Sequence, residues 1–325
     1  MPLIAHCDSP TFAILREEGT AIENQADERR HLNIGLLNLM PDEVLKATER
    51  QWMRLCSSLD DTLAYVYPFT FNAGERSPST QAHIARHYDS ASTIKKRNLD
   101  LLIVTGANPR TPVITGETFW QSMIDMINWA RQQGCPVVCS CLATHAVAKE
   151  FYGVDRVLLP KKCWGVYPHV LLDPQHPLVR NIDAGWQAPH SHVYGVTCQQ
   201  LEPVGIRVLV DSAEAGVYLA VTRHSPEFVF LQGHPEYDAN SLLKEFKREV
   251  MRFTGGMIPE FPELPNNYFG EAAIEIIAQY QDDLVDAKSK GEAPPQFPEQ
   301  RLEAGLKTPW AATGTQLFEN LLRMV

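Results

Sequence analysis

Four short apolar runs, each handing over to a loop or an amphipathic stretch, constrain this chain more than any other feature. The run LNIGLLNL (Leu32 to Leu39) stops at Met40-Pro41-Asp42, and Val44, Leu45, Trp52 and Leu55 then recur at helical spacing over Glu43 to Leu59. LAYVYPF (Leu63 to Phe69) and LDLLIVT (Leu99 to Thr105) are the next two, the latter opening into a Gly106 and proline loop ahead of a predicted helix over Glu117 to Gln133. PVVCSC (Pro136 to Cys141) passes without a break into a predicted helix over Leu142 to Tyr152. Strands that are apolar throughout, alternating with helices, predict an α/β fold with a mostly parallel sheet covered on both faces.

The second half is richer in strands, with Val166 to Leu172, Arg207 to Asp211, Gly216 to Val221 and Phe228 to Gln232 ahead of a helix over Ala239 to Phe253. An antiparallel extension of the sheet fits this pattern. Nothing marks a boundary within residues 30–255, so 1–325 reads as one domain. Residues 285–307 are polar and Pro-rich and read as an exposed loop before a final helix over Gln316 to Met324.

The chain has 325 residues, of which 44% are hydrophobic and 21% charged, ordinary values for a folded protein with a sizeable core. Twenty-nine basic residues against 39 acidic ones give a net charge of −10, and no basic cluster occurs. Such a field repels phosphate backbones, which excludes nucleic acid as the expected partner; an anionic ligand requires a local cationic pocket. No run of apolar residues is long enough to span a bilayer, and Asp8, Pro2 and Pro10 interrupt any signal-peptide core. A cytoplasmic protein without membrane contact is expected. The seven cysteines lack disulfide-framework spacing, so free thiols are expected.

One of those thiols stands out. Cys141 lies where a buried strand turns directly into a helix, between small neighbours. Such an elbow exposes a nucleophile at the carboxyl edge of the sheet, aims the Leu142 N–H at a developing oxyanion, and favours the thiolate through the helix N-terminus. Cys139, inside the strand, reads as a packing residue, and Cys139 with Cys141 makes a poor metal pair because no further ligands are spaced to join them. No metal is expected. A second constellation, Gly233-His234-Pro235-Glu236-Tyr237-Asp238, follows the buried run FVFLQ. A histidine can deprotonate a cysteine, and a carboxylate can fix the histidine tautomer. Because a parallel sheet gathers its strand ends on one side, Cys141, His234 and Glu236 can share one crevice.

LNLMP (Leu37 to Pro41), IVTGA (Ile103 to Ala107), the Cys141 elbow, GVYPH (Gly165 to His169), APHSH (Ala188 to His192) and GHPEYD (Gly233 to Asp238) together resemble homoserine O-acyltransferases of the MetA type. The likeness runs from LREEG (Leu15 to Gly19) to LFENLL (Leu317 to Leu322), with residues 285–307 apart from it. It implies a flavodoxin-like sheet of the class I glutamine amidotransferase kind and acyl transfer from an acyl-CoA co-substrate, with no further cofactor, to homoserine in methionine synthesis. Cys141 would carry the acyl group, His234 would act as base and Glu236 would orient it. The resemblance also implies active-site roles for Lys162, for Glu245 and Arg248 as a clamp on the amino acid, and for a soluble enzyme a homodimer is the commonest assembly.

The chain departs from the family pattern in three places. An arginine expected after Pro189-His190-Ser191 is His192, leaving a shorter, often neutral donor and opening serine as an alternative acceptor. At the position that sorts the acyl donor, Arg110 replaces the glutamate that goes with acetyl-CoA or the glycine that goes with succinyl-CoA. An arginine could pair with the distal carboxylate of a succinyl group, so succinyl-CoA is the expected donor and acetyl-CoA the alternative. The segment after LNLMP is longer and more acidic, with Lys46 as a stand-in lysine. A glutamine amidotransferase or hydrolase, and a non-catalytic binding protein, are the other readings of the same residues.

Overall fold

The computed structural model describes residues 2–59, 61–71, 75–223 and 227–325. In chain order the first half comprises β1 (Leu3–Ile4), α1 (Pro10–Glu17), β2 (Ile22–Glu23), β3 (Arg30–Leu37), α2 (Asp42–Leu55), β4 (Thr62–Phe69), α3 (Pro78–His87), α4 (Ala91–Ile94), β5 (Leu101–Val104), α5 (Trp120–Gln132), β6 (Val137–Ser140) and α6 (Leu142–Tyr152). The second comprises β7 (Val157–Pro168), β8 (Val170–Leu171), β9 (Gln187–Gly195), α7 (Cys198–Leu201), β10 (Ile206–Ser212), β11 (Gly216–Thr222), β12 (Phe228–Leu231), α8 (Ser241–Thr254), α9 (Glu271–Lys290), α10 (Glu299–Glu303) and α11 (Ala311–Leu322).

Among the described residues, ten strands form one sheet in the order β2-β1-β4-β3-β5-β6-β12-β11-β10-β8. Pairing is parallel from β2 through β12 and antiparallel from β12 to β8. The inner parallel strands β4-β3-β5-β6-β12 follow the flavodoxin order, in which the second strand flanks the first and the rest continue on its other side. The expected fold and its antiparallel extension are both present.

Strand β5 shows why its sequence is apolar at every position. Leu101 and Ile103 pack into one core with Trp52 of α2, Phe246 of α8 and Phe318 of α11. Leu102 and Val104 enter the opposite core with Met123 and Ile127 of α5 and Ala146 of α6. Period-two alternation sends successive side chains to opposite faces, and helices cover both.

The segment 285–307 differs from its expected form. Helix α9 continues through Val285 to Lys290 and stops at Gly291, whose φ of 68° supplies the left-handed C-cap, and α10 follows. Phe297 and Leu302 are buried in the core shared with α8, so only the short stretch between the helices is loop. Its prolines punctuate helices rather than mark a linker. The last helix begins at Ala311, five residues ahead of expectation. The expected strand Val166 to Leu172 belongs to two strands: β7 pairs with β9 as a separate antiparallel hairpin, while β8 joins the sheet edge.

Candidate active site

The carboxyl ends of β3, β5, β6 and β12 open onto one cavity of about 470 Å³, whose wall includes Pro41, Gly106, Cys141, His234 and, from α8, Glu245. This is the crevice that the sheet topology provides.

Cys141 is the N-cap of α6 and holds φ 49° and ψ −107°, one of the few non-glycine residues with positive φ. A strained elbow of this kind persists only when its surroundings fix it. The Cys141 N–H donates to the Leu231 carbonyl at 2.7 Å, and the Thr144 hydroxyl donates to the Cys139 carbonyl at 2.8 Å. Gly106 lies against the nucleophile: a Cβ there would stand 3.2 Å from the Cys141 Cβ. Leu142 opens the helix, where the N–H has no intrahelical acceptor and is free for an oxyanion. Cys139 is buried, and burial pushes its thiol up, as befits a packing residue.

His234 follows β12 and is buried, with Nδ1 donating to Glu236 Oε1 at 2.8 Å. Among the described residues its Nε2 makes no hydrogen bond of ordinary geometry, and the Cys141 sulfur lies beside it. Burial alone would lower the pKa of His234, but the Glu236 carboxylate and the Cys141 sulfur outweigh it and push it up to about 10. The imidazole is thus a strong acceptor for the thiol proton. Its ring is stacked on Tyr237, with centroids 4.3 Å apart and planes at 15°. The loop is held from outside: Arg50 and Arg54 of α2 pair with Asp238, the Trp310 Nε1–H donates to the Tyr237 carbonyl at 2.8 Å, and α11 presses Gly314 against Pro235.

Glu245 collects three donors: Ser191 Oγ at 2.6 Å, Tyr237 Oη at 2.9 Å and Lys162 Nζ at 3.3 Å. Burial raises its pKa, but Lys162, Ser191 and Tyr237 reverse this and hold it below the usual carboxylate value. Lys162 also sits over the Trp164 ring at 4.2 Å. Arg248 lines the same cavity, is exposed, and forms no ion pair among the described residues. With Lys244 and Arg252 it makes a stripe of cations four residues apart on α8 at the cavity. The local positive pocket that an anionic ligand needs is present despite the net charge.

Two expected site residues take other places. His192 lines the cavity, but both ring nitrogens are engaged. Nδ1 donates to the Tyr194 carbonyl at 2.7 Å, which makes Nε2 an acceptor; His190 Nδ1 donates to it at 3.0 Å, and His169 Nε2 donates to His190 Nε2 at 2.9 Å. Burial lowers all three, His169 and His192 to about 4, so the chain is neutral. His192 has no N–H to offer a substrate and does not replace the family arginine as a donor. Cys163, His190 and His192 bring ligand atoms within 4.8 Å of one another, but the two facing imidazole nitrogens share that hydrogen bond. Arg110 is exposed on the outer side of its loop and does not line the cavity that holds Cys141; its backbone N–H is tied to Glu117 Oε1 at 2.8 Å. Lys46 is likewise exposed on α2 and outside the cavity wall.

Arg156, His145, Ser191 and Tyr237 also line the cavity, though none was singled out from the sequence. Ser191 and Tyr237 lay inside quoted segments and were open to notice. Arg156 lay in none.

The mostly parallel sheet thus sets a cysteine at a strained strand-to-helix elbow in the same crevice as a histidine held by glutamate, within an α/β fold. The model of the homoserine O-succinyltransferase family matches residues 2–325, and the chain belongs to that family. Its relatives named homoserine O-succinyltransferase include those of Allochromatium vinosum, 43% identical with 100% of this chain and 92% of the relative covered, and Methylobacter tundripaludum, 43% identical with 99% and 92% covered. A glutamine amidotransferase of Thermotoga maritima is a distant structural likeness, at TM-score 0.49 and 13% identity over 92% of this chain and 99% of that one.

Proposed function

We propose that the protein transfers a succinyl group from succinyl-CoA to the hydroxyl of L-homoserine through an acyl-Cys141 intermediate. The Cys141, His234 and Glu236 arrangement carries the mechanism, and family membership supports the substrates. In the first half-reaction His234 Nε2 takes the thiol proton and the sulfur attacks the thioester carbonyl. The Leu142 N–H would stabilise the oxyanion, the thioester C–S bond breaks, and His234 returns the proton to the departing coenzyme A thiolate. In the second, the homoserine hydroxyl gives its proton to His234 while its oxygen attacks the acyl carbon, and the Cys141 S–C bond breaks. Neither half calls for a metal or redox group, since the thioester supplies the activated acyl group.

The cationic stripe of Lys244, Arg248 and Arg252 suits the phosphates of coenzyme A, whose charge the rest of the surface would repel. Arg248 and Glu245, in the same cavity wall, would take the carboxylate and the ammonium group of the amino acid. The test is mass spectrometry of the intact protein mixed with succinyl-CoA alone. One added succinyl group on Cys141, released as O-succinylhomoserine when homoserine is supplied, is the expected result. Direct transfer with no labelled enzyme would remove the intermediate, and no product with homoserine would remove the activity.

A further inference from the structure

Beside the nucleophile, on the wall formed by α6 and the start of β7, lies an anion site that the reaction chemistry above does not use. We infer that Arg156, assisted by His145, binds the distal carboxylate of the acyl group carried on Cys141 and so selects a dicarboxylic acyl donor. This rests on the proposed acyl-enzyme reading and adds a specificity-determining site to it.

The guanidinium of Arg156 is fixed without a direct ion pair among the described residues. Its Nη2 donates to the Thr111 and Pro112 carbonyls at 3.0 and 3.1 Å, and its Cζ sits 3.8 Å over the Tyr194 ring. No carboxylate pairs with it among the described residues, and its buried Nε–H has no partner. The buried Glu117 carboxylate, tied to Thr111 of the same loop, acts on Arg156 only at longer range, so an arginine held by two carbonyls and an aromatic face keeps a donor for a direct anion partner inside the cavity.

His145 is the second observation. It lies four residues after Cys141, hence one helical turn along the same face of α6. It is 2% exposed and lines the cavity, with the Tyr194 backbone beside its ring, and among the described residues neither ring nitrogen makes a hydrogen bond of ordinary geometry. Burial, with His192 and Arg156 adding to it, lowers its pKa to about 3, so it is a neutral donor. A neutral imidazole beside a fixed guanidinium can give a carboxylate one N–H without adding a charge that Arg156 would repel.

The position distinguishes an acyl carboxylate from the other anions. The charged groups suited to homoserine and the coenzyme phosphates, namely Glu245, Lys162, Arg248 and the α8 stripe, come from α8 and the centre of β7. Arg156 and His145 come from α6 and its exit, on the nucleophile's own helix. Arg156 also clamps the loop that bears Arg110, through the Thr111 and Pro112 carbonyls.

The experiment measures acylation by succinyl-CoA and by butyryl-CoA, which has the same chain length without the charge, for the wild-type protein and for Arg156→Met, Arg156→Lys and His145→Gln. Coenzyme A release without acceptor reports the first half-reaction, and homoserine product reports the whole. The expected result is a fall of about 30–100-fold in the succinyl-to-butyryl ratio for Arg156→Met, the scale of one lost charge-assisted contact, with partial recovery in Arg156→Lys and a smaller fall in His145→Gln. An unchanged ratio, or an equal loss with both donors, would overturn the assignment. So would a ratio preserved during acylation with only the homoserine KM raised. If the wild-type protein is acylated by neither donor, the enzymatic reading fails rather than this site. Circular dichroism of each variant separates misfolding from altered selectivity, and Arg156→Gln replaces Arg156→Met if the latter does not fold.

Discussion

Tyr237 lies flat on His234 and hands its hydroxyl to Glu245, so one side chain spans the proton-transfer group and the acid across the cavity. The stack fixes the imidazole plane, while the hydroxyl fixes the phenol. Tyr237→Phe keeps the first link and cuts the second; Tyr237→Ala cuts both. Steady-state kinetics should show Tyr237→Phe raising the homoserine KM with little change in kcat. Tyr237→Ala should lower kcat by about 100-fold, the cost typical of a catalytic group left misoriented. Equal effects of the two variants would mean the stack does not position His234.

Alkylation by iodoacetamide at neutral pH should label Cys141 first. Cys141 is half-buried and lines the cavity, whereas Cys139 and Cys56 are buried and their thiols are pushed up by desolvation. Peptide mapping after brief exposure checks the order, and saturating acyl-CoA should protect the site. Cys141→Ala should leave the circular dichroism spectrum intact and abolish transfer; near-normal turnover in that variant would remove Cys141 from the mechanism.

Glu236→Gln tests the source of the raised His234 pKa. With the carboxylate gone, burial is left less opposed and the pKa should fall from about 10. Activity should drop by about 10²–10⁴-fold, the usual range for a lost acid–base partner, and the limb of the kcat/KM profile set by His234 should move to lower pH. For stability the sign is that of a raised histidine: the contribution is present in full below about 6.5 and is lost as pH climbs through about 10. Urea midpoints measured from pH 6 to 10 should therefore fall in the wild type and fall less in Glu236→Gln.

The neutral histidines produce the opposite slope. His145, His169, His190 and His192 are all lowered by burial, so the unfolded chain binds protons that the folded one refuses. Their contribution is present above about 6.5 and is lost as pH falls below it, towards about 4 for His169 and His192 and about 3 for His145, at about 1.4 kcal/mol per pH unit for each group. Chemical denaturation at pH 7 and pH 5 should show a clear loss at the lower pH, and equal stabilities would contradict neutral histidines in the fold.

Much of this was legible in the sequence, and the exceptions have physical causes. The runs through Leu36, Ile103, Val138 and Phe230 announced the parallel strands because both faces of each are covered, and Cys141 could be picked out because its strand and helix share no linker. The hairpin partner β9 was missed as a strand because its polar histidines satisfy one another instead of facing solvent in alternation. Helix α9 went unread because a small buried face, Ile277, Tyr280, Leu284 and Ala287, sits among polar residues. Arg110 was singled out by counting and Arg156 passed over for the same reason: which arginine enters a cavity is decided by the direction of a loop, not by its spacing from a motif.

Gly314 gives a direct test of the support behind the catalytic loop. A Cβ there would lie 2.8 Å from the Pro235 carbonyl oxygen, too close for backbone to yield cheaply. Gly314→Ala should cost about 1–3 kcal/mol in stability, as overpacking does, and reduce kcat by displacing His234. A variant with wild-type stability and rate would show the contact to be slack.

That contact also sets a timetable. His234 and Glu236 leave β12 more than seventy residues before Trp310 and Gly314 reach them, and Arg50 and Arg54 wait on Asp238 from far upstream. The sheet can form while the proton relay is still unbraced. Turnover is therefore an assembly clock for this chain: during refolding it should return last, when α11 docks, and trail the recovery of secondary structure.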